Sequence, residues 1–141
     1  MSFSPIFGYA SFVSQPQDFA FQGWGRVSWG MTRSRVQTIY PEAQPARFGS
    51  LKILGTDLSA NYDINFAFDT DRRLKSVTLA FHGVPSDEDF IKLQRWLMDK
   101  YGEPKATGAW RYAWIRGQTD ITLARGHNLT ISYSRTAPTP A

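Results

Sequence analysis

Residues 61–68 read Asn-Tyr-Asp-Ile-Asn-Phe-Ala-Phe, the clearest alternation of bulky and polar or small side chains in the chain. The bulky set is Tyr62, Ile64, Phe66 and Phe68, and the opposite set is Asn61, Asp63, Asn65 and Ala67. A period of two predicts a β-strand with one buried face and one open face. The charged turn over 69–73 and a second alternating run over 74–82 predict an antiparallel partner strand.

A short helix is predicted before these strands. Gly30 allows a tight corner, and Thr32 can cap the helix through its hydroxyl. The apolar stripe of this helix consists of Val36, Ile39 and Tyr40. Pro41 ends it, because the residue before a proline is pushed out of helical geometry. We expect Gly30 to adopt a backbone conformation that other residues avoid.

The second helix has stronger signals. Ser86 is the predicted N-cap, and the acidic residues 87–89 complement the positive end of the helix dipole. The buried stripe consists of Phe90, Leu93, Leu97 and Tyr101. Gly102 and Pro104 predict the helix end.

The last third of the chain reads as a three-strand meander. Taken together, the runs predict an α+β fold with two helices packed on one face of an antiparallel sheet of about five or six strands. A helix followed by three strands occurs twice, an order also compatible with a fused repeat. We expect one domain over 24–135, a segment over 1–23 that is either poorly ordered or a strap on the core, and a flexible tail over 136–141.

Residues suited to catalysis or metal binding are scarce. The chain has no cysteine, and its two histidines, His82 and His127, lie far apart in sequence. Metal-ligand spacing, a phosphate-binding glycine loop and a nucleophile elbow are all missing from the sequence. We therefore predict no enzyme activity, no metal site and no cofactor.

Charge and hydropathy bear on partners and location. The formal net charge is +4, and the region from Lys105 to Arg135 carries all of it, which favours an acidic partner there. No run approaches the roughly 18 apolar residues of a membrane helix, so no membrane span is expected. The chain as given shows no signal peptide. The expected location is periplasmic if the chain is a mature form and cytoplasmic otherwise.

Scattered motifs resemble a pattern found in small bacterial envelope proteins. The resemblance is carried by Trp29-Gly30-Met31-Thr32 with Val36 and Tyr40, by Phe66-Ala67-Phe68 and Leu74-Lys75-Ser76-Val77, and by Lys100-Tyr101-Gly102-Glu103-Pro104, Trp110 and Ile131-Ser132-Tyr133. These proteins have a fold similar to that of the assembly lipoprotein BamE and of the β-lactamase inhibitor protein. The resemblance implies helices packed on an antiparallel sheet, no catalysis, and binding to another protein.

The polar faces of the predicted strands form the candidate site. If both helices cover the bulky face, the other face stays open, and we predict a non-enzymatic protein-binding module of the inhibitor or assembly-factor type. The predicted binding residues are Arg111, Thr130, Ser132, Asn65 and Thr78. Small polar side chains make a flat surface, and an arginine is a residue favoured at interfaces.

The alternative is a single-stranded nucleic-acid-binding protein that uses the basic C-terminal strands. Trp110, Tyr112 and Trp114 alternate with Arg111, a mixture typical of base-stacking surfaces. However, the rings and Arg111 fall on opposite faces of the predicted strand. We expect all three rings to be buried under the second helix instead.

Overall fold

The computed structural model describes residues 22–57 and 60–136. Within these residues there are two α-helices, α1 (Arg33–Ile39) and α2 (Asp87–Tyr101), with a 3-10 turn at Arg47–Gly49. The strands in this described part of the chain are β1 (Gly23–Trp24), β2 (Val27–Ser28), β3 (Gln44–Pro45), β4 (Leu51–Asp57), β5 (Ala60–Phe68), β6 (Leu74–Phe81), β7 (Lys105–Gly108), β8 (Arg111–Arg116), β9 (Thr119–Arg125) and β10 (Leu129–Arg135). The expectations for residues 1–21 and 137–141 lie outside the described residues.

Eight of the strands form one antiparallel sheet. Its order is β3-β4-β5-β6-β10-β9-β8-β7, while β1 and β2 form a separate small hairpin. The predicted sheet of five or six strands is therefore wrong, although an antiparallel, sheet-rich α+β fold is confirmed. The two strands that the prediction lacks, β3 and β7, are the edges of the sheet.

The sequence pattern did not predict the edge strands, because none of their side chains is buried. All residues of β3 and β7 are exposed, so neither strand needs alternating apolar side chains. Pro45 lies in β3, a position that proline tolerates only at an edge. With these strands included, each half of the fold is one helix followed by four strands rather than three.

The two halves meet at the centre of the sheet through the pairing of β6 with β10. Thr78 lies opposite Ser132 at the middle of this pair, and the strand order on either side is mirrored. Within the sheet, the two halves are therefore joined by one antiparallel strand pair, which consists of the last strand of each half.

Both helix starts agree with the sequence prediction. The Thr32 hydroxyl accepts a hydrogen bond from Arg35 N at 3.3 Å, and the Ser86 hydroxyl accepts one from Asp89 N at 3.1 Å. Gly30 has a φ of 88°, which confirms the expected corner before α1. Substitution there is strained although the space around the residue is open.

The helices pack on the bulky face of the sheet. At the C-terminal end of α1, the buried ring of the capping residue Tyr40 lies 5.3 Å from that of Phe66 on β5. On α2, the buried side chains are Phe90, Leu93, Leu97 and Tyr101, the predicted stripe. Trp24 of β1 lies against Phe66 and Tyr133, so its ring joins the two halves of the core. Neither α1 nor α2, the helices of the described residues, covers the other face of the sheet.

Candidate functional site

The sheet face opposite the helices, called the open face below, is built from residues in register across every strand. One row crosses the whole sheet. From edge to edge it consists of Gln44, Lys52, Asn65, Thr78, Ser132, Thr122, Ala113 and Lys105. With strands about 4.8 Å apart, the row spans roughly 34 Å. Its four central residues carry short polar side chains, so the middle of the face is flat.

A second row continues this surface. It consists of Leu54, Asp63, Ala80, Thr130, Ala124, Arg111 and Gly108. Ala80, Thr130 and Ala124 occupy its centre and are half-buried by their neighbours. The two rows together make a strip of alanine, serine, threonine and asparagine, flanked by longer side chains toward the edges.

The five predicted binding residues all lie on the open face. Asn65, Thr78 and Ser132 are direct neighbours in the first row. Thr130 lies one row away on the same strand as Ser132. Arg111 shares the row of Thr130 and is separated from it by Ala124, roughly 10 Å at two strand spacings. The structure therefore brings the five together as a surface and not as a pocket.

A depression of about 580 Å³ lies at the end of the open face, between the β7–β8 and β9–β10 turns. Arg111 and Thr130 form part of its wall. The further residues with polar or aromatic side chains are Thr107, Trp110, Arg125, His127 and Asn128. Sequence reasoning missed this depression because it depends on two turns that become neighbours only through the pairing of β8 with β9.

Two arginines of the depression have different surroundings. Arg125 forms an ion pair with Asp87, donates to Pro85 O at 3.1 Å and lies 4.6 Å from the ring centroid of Trp110. Arg111 is exposed, and among the described residues it has no hydrogen-bond or ion-pair partner. The charge of Arg111 is therefore available to an incoming group, whereas Arg125 mainly fixes the wall.

The opposite side of the open face holds a charged cluster. His82 Nε2 lies 3.2 Å from Asp63 Oδ1, and Lys52 Nζ lies 4.0 Å from Asp63 Oδ2. The alternation over 61–68 placed Asp63 on this face, but its partners depend on strand pairing that the sequence does not specify. Because Asp63 offsets a cation there, the unbalanced positive charge of the face lies at the other side, at Arg111 and Lys105.

Two exposed apolar side chains flank the strip. Leu54 on β4 and Ile115 on β8 lie on opposite sides of the centre, and Ile115 is 64% exposed. They are single residues rather than a contiguous apolar patch, and each could supply apolar contact to a partner on this face.

The three rings near Arg111 differ in burial, so the prediction that all are buried under the second helix is wrong in part. Trp114 is 2% exposed, and its Nε1 donates to Gly102 O at 2.8 Å. Tyr112 is half-buried beside Phe90. Trp110 is exposed and has a φ of 58°, because it sits in the turn before β8 rather than in the strand. The three rings do not form one exposed stacking surface.

The shifted titratable groups lie on the helix side of the sheet. Burial lowers the pKa of Lys100 to about 8. Burial also raises the pKa of Tyr101, and raises that of Tyr133 well above the usual value for tyrosine. The hydroxyls of the two tyrosines lie 3.5 Å apart inside the core. These groups belong to the packing of α2 and not to the open face.

The described residues also bear on metal binding and on membrane insertion. Within the described ranges, no three histidine, aspartate or glutamate side chains are grouped so that they could hold a metal ion. Neither α1 nor α2, the helices that the structure describes, is long and apolar enough to cross a membrane.

Comparison with known proteins places the chain by sequence alone. No curated protein and no solved structure gives a significant match. The model of one family, described as the TP0088 domain, matches residues 11–138. This match covers most of the sequence, including both helices and the eight-stranded sheet. The chain belongs to the TP0088 domain family.

Proposed function

We propose that this domain is a non-enzymatic protein-binding module that receives a partner protein on the open face. The observation that carries the proposal is the row Asn65, Thr78, Ser132 and Thr122, four small polar residues in register across four strands. Long charged side chains at the centre of a sheet face would hold a partner away from it. Here such side chains stand only toward the edges, so a partner can approach the centre of the sheet closely.

The side chains on either side of the strip indicate the chemistry that a partner needs. Leu54 and Ile115 offer apolar contact on either side, and Arg111 offers an unpaired cation at one end. An interface commonly combines apolar contacts with a few charged groups that set orientation. We expect a partner with a flat, polar surface and an acidic group placed over the depression next to Arg111.

The experiment uses the absence of cysteine in the chain. A photo-crosslinker is attached to Ile115→Cys, at the rim of the open face, and in a matched control to Ile91→Cys, on the solvent side of α2 and 42% exposed. In lysate of the source organism we expect one discrete protein to crosslink to the Ile115 site and not to the Ile91 site. Adding Arg111→Glu to the Ile115→Cys chain should weaken that crosslink.

The same experiment separates the nucleic-acid alternative. Nuclease treatment and added salt should change a protein crosslink little, whereas a nucleic-acid complex weakens steeply as salt rises. Equal crosslinking from the two sites, or a product removed by nuclease, would contradict the proposal.

A further inference from the structure

Trp110 and Arg111 are consecutive residues, yet both line the depression at the end of the open face. In a regular strand, successive side chains point to opposite faces of the sheet. Trp110 instead lies in the turn before β8 and has a φ of 58°, a left-handed conformation that is unfavourable for a bulky side chain. The turn interrupts the alternation, so ring and guanidinium share one depression. Strained backbone of this kind is concentrated at ligand sites.

Neighbouring side chains hold the ring of Trp110. The ring of Phe90 on α2 stands nearly perpendicular to it, with 5.0 Å between the two centroids. The Arg125 guanidinium lies 4.6 Å from the Trp110 centroid and is itself fixed by Asp87 and by Pro85 O. Trp110 nevertheless remains 42% exposed. The exposed part of the ring is therefore a fixed, flat, apolar surface in the wall of the depression.

The charge of the depression is positive. None of the described residues that line it is aspartate or glutamate. Asp87 offsets the charge of Arg125, whereas Arg111 is exposed and has no partner among the described residues. A guanidinium presents paired N–H donors that match the two oxygens of a carboxylate. A free guanidinium beside an exposed ring therefore suits a group that carries a carboxylate close to a second flat ring, because aromatic rings pack favourably on one another.

A nucleic-acid strand fits this arrangement less well. Binding a strand requires a groove of positive charge that follows successive phosphates. The depression has a volume of about 580 Å³, and of the two arginines that line it only Arg111 is unpaired within the described residues. This is sufficient for one or two residues of a protein with a carboxylate, but not for a run of nucleotides.

We infer that the depression receives a part of the partner protein in which a carboxylate stands next to an aromatic ring. The carboxylate pairs with Arg111, and the ring packs on the exposed part of Trp110. Two kinds of protein segment carry this chemistry, namely a chain end whose last residue is aromatic and an acidic residue adjacent to an aromatic one. The inference rests on the proposed protein-binding function and adds the kind of residue by which the partner is recognised.

Small probe molecules test the inference on the purified chain. N-acetyl-phenylalanine represents the chain end, and N-acetyl-aspartyl-phenylalanine amide represents the acidic residue beside a ring. In NMR titrations of the isotope-labelled chain, at least one probe should shift the signals of Trp110, Arg111 and Asn128. We expect roughly millimolar affinity, because so small a ligand makes few contacts. The probe that binds more tightly identifies the source of the carboxylate.

Matched probes separate the two contacts. For each probe, an amide in place of its carboxylate should weaken binding several-fold, because the pair with Arg111 is lost. Leucine in place of phenylalanine should also weaken binding, because an aliphatic side chain cannot stack on Trp110. These comparisons leave the protein unchanged, so they do not depend on the folding of a variant.

Matched variants test the same contacts from the protein side. Arg111→Gln should weaken binding of the better probe by about tenfold, because a charge-assisted hydrogen-bonded pair is lost. Arg135→Gln, at an exposed arginine at the far end of β10, should bind like the natural chain. Trp110→Asn should weaken binding as well, because asparagine accepts a positive φ but offers no ring.

Several results would overturn the inference. They are the absence of any shift with both probes, leucine probes that bind as well as phenylalanine probes, and full binding by Arg111→Gln. Tighter binding of adenosine monophosphate than of either probe would also overturn it and favour nucleic acid. If a protein crosslinks at the Ile115 site while neither probe binds, the inference fails and the proposed function stands. Probe binding without any crosslinked protein would support the chemistry of the depression and contradict the proposed function.

Discussion

The two faces of the eight-stranded sheet are formed by the same strands but differ in burial and in side-chain size. On the helix side of β9 and β10, Ile121, Leu123 and Ile131 are fully buried. Their neighbours on the open face, Thr122 and Ser132, are small and only half-buried. The helix side is determined by packing, because each buried side chain must fill a defined volume. The open face has no such constraint on side-chain volume.

The largest expected effect tests the helix side. Trp114→Ala should reduce the free energy of unfolding by about 3–5 kcal/mol, because a large buried ring is replaced by a cavity. The variant also leaves Gly102 O without the hydrogen bond that the indole donates. Urea unfolding measures the loss, and Trp110→Ala, at an exposed ring of the same type, is the matched control with a smaller expected cost. Similar small costs for both variants would contradict the assignment of Trp114 to the core.

A second prediction concerns the buried hydroxyls on the helix side. The folded pKa of Tyr133 lies well above its unfolded value near 10.0. The folded state therefore keeps this proton while the unfolded state loses it, so stability is complete below pH 10.0 and falls as the pH rises further. Tyr133→Phe removes the ionisation, and its free energy of unfolding should decline less steeply in alkali than that of the natural chain.

The ionisation of Lys100 also changes the free energy of unfolding in the alkaline range. The effect of Tyr133 is therefore obtained by comparing a variant with the natural chain. Its folded pKa of about 8 lies below the usual 10.5, so its contribution to stability is complete above 10.5 and falls as the pH drops toward 8. This slope is opposite to that of Tyr133. Urea unfolding across the alkaline range should therefore be compared between the natural chain and Tyr133→Phe, with Lys100 present in both. Parallel curves would contradict the burial of the Tyr133 hydroxyl.

The contrast between the faces explains how much of the fold the sequence predicts. Where a strand buries one face, as in the stretch around Ile64 and Phe66, alternation identifies both the strand and its orientation. The caps at Thr32 and Ser86 identify the helix starts for a similarly local reason. Alternation does not say which strands are neighbours, so the central pairing of β6 with β10 is not predicted. The edge strands β3 and β7 bury no side chain, so their sequences show no alternation of apolar and polar residues.

The candidate site likewise has features that the sequence predicts and features that it does not. The five predicted binding residues share one face because that depends only on alternation along each strand. The depression at Arg111 and the contact of Asp63 with His82 depend on turns and registers that meet in space. Trp110 lies in the turn before β8, although the alternation of aromatic and other residues in the sequence extends back to it.

The smallest expected effect is on the open face itself. Ser132→Ala should change the free energy of unfolding by less than about 0.5 kcal/mol, because the hydroxyl lies on an uncovered surface. Ile131→Ala, one residue earlier on the same strand but buried on the helix side, should cost about 2–5 kcal/mol. Urea unfolding of the two variants compares the two faces of the sheet at adjacent residues of one strand.

The outcome also bears on function, because a residue that matters little for folding is free to serve binding. If Ser132→Ala keeps full stability but weakens the crosslink formed at Ile115, the small side chains of the open face act in recognition. A loss of stability close to that of Ile131→Ala would instead mean that this face is covered within the free protein. In that case the serine and threonine row would be part of the packing, and the partner would have to bind at another surface.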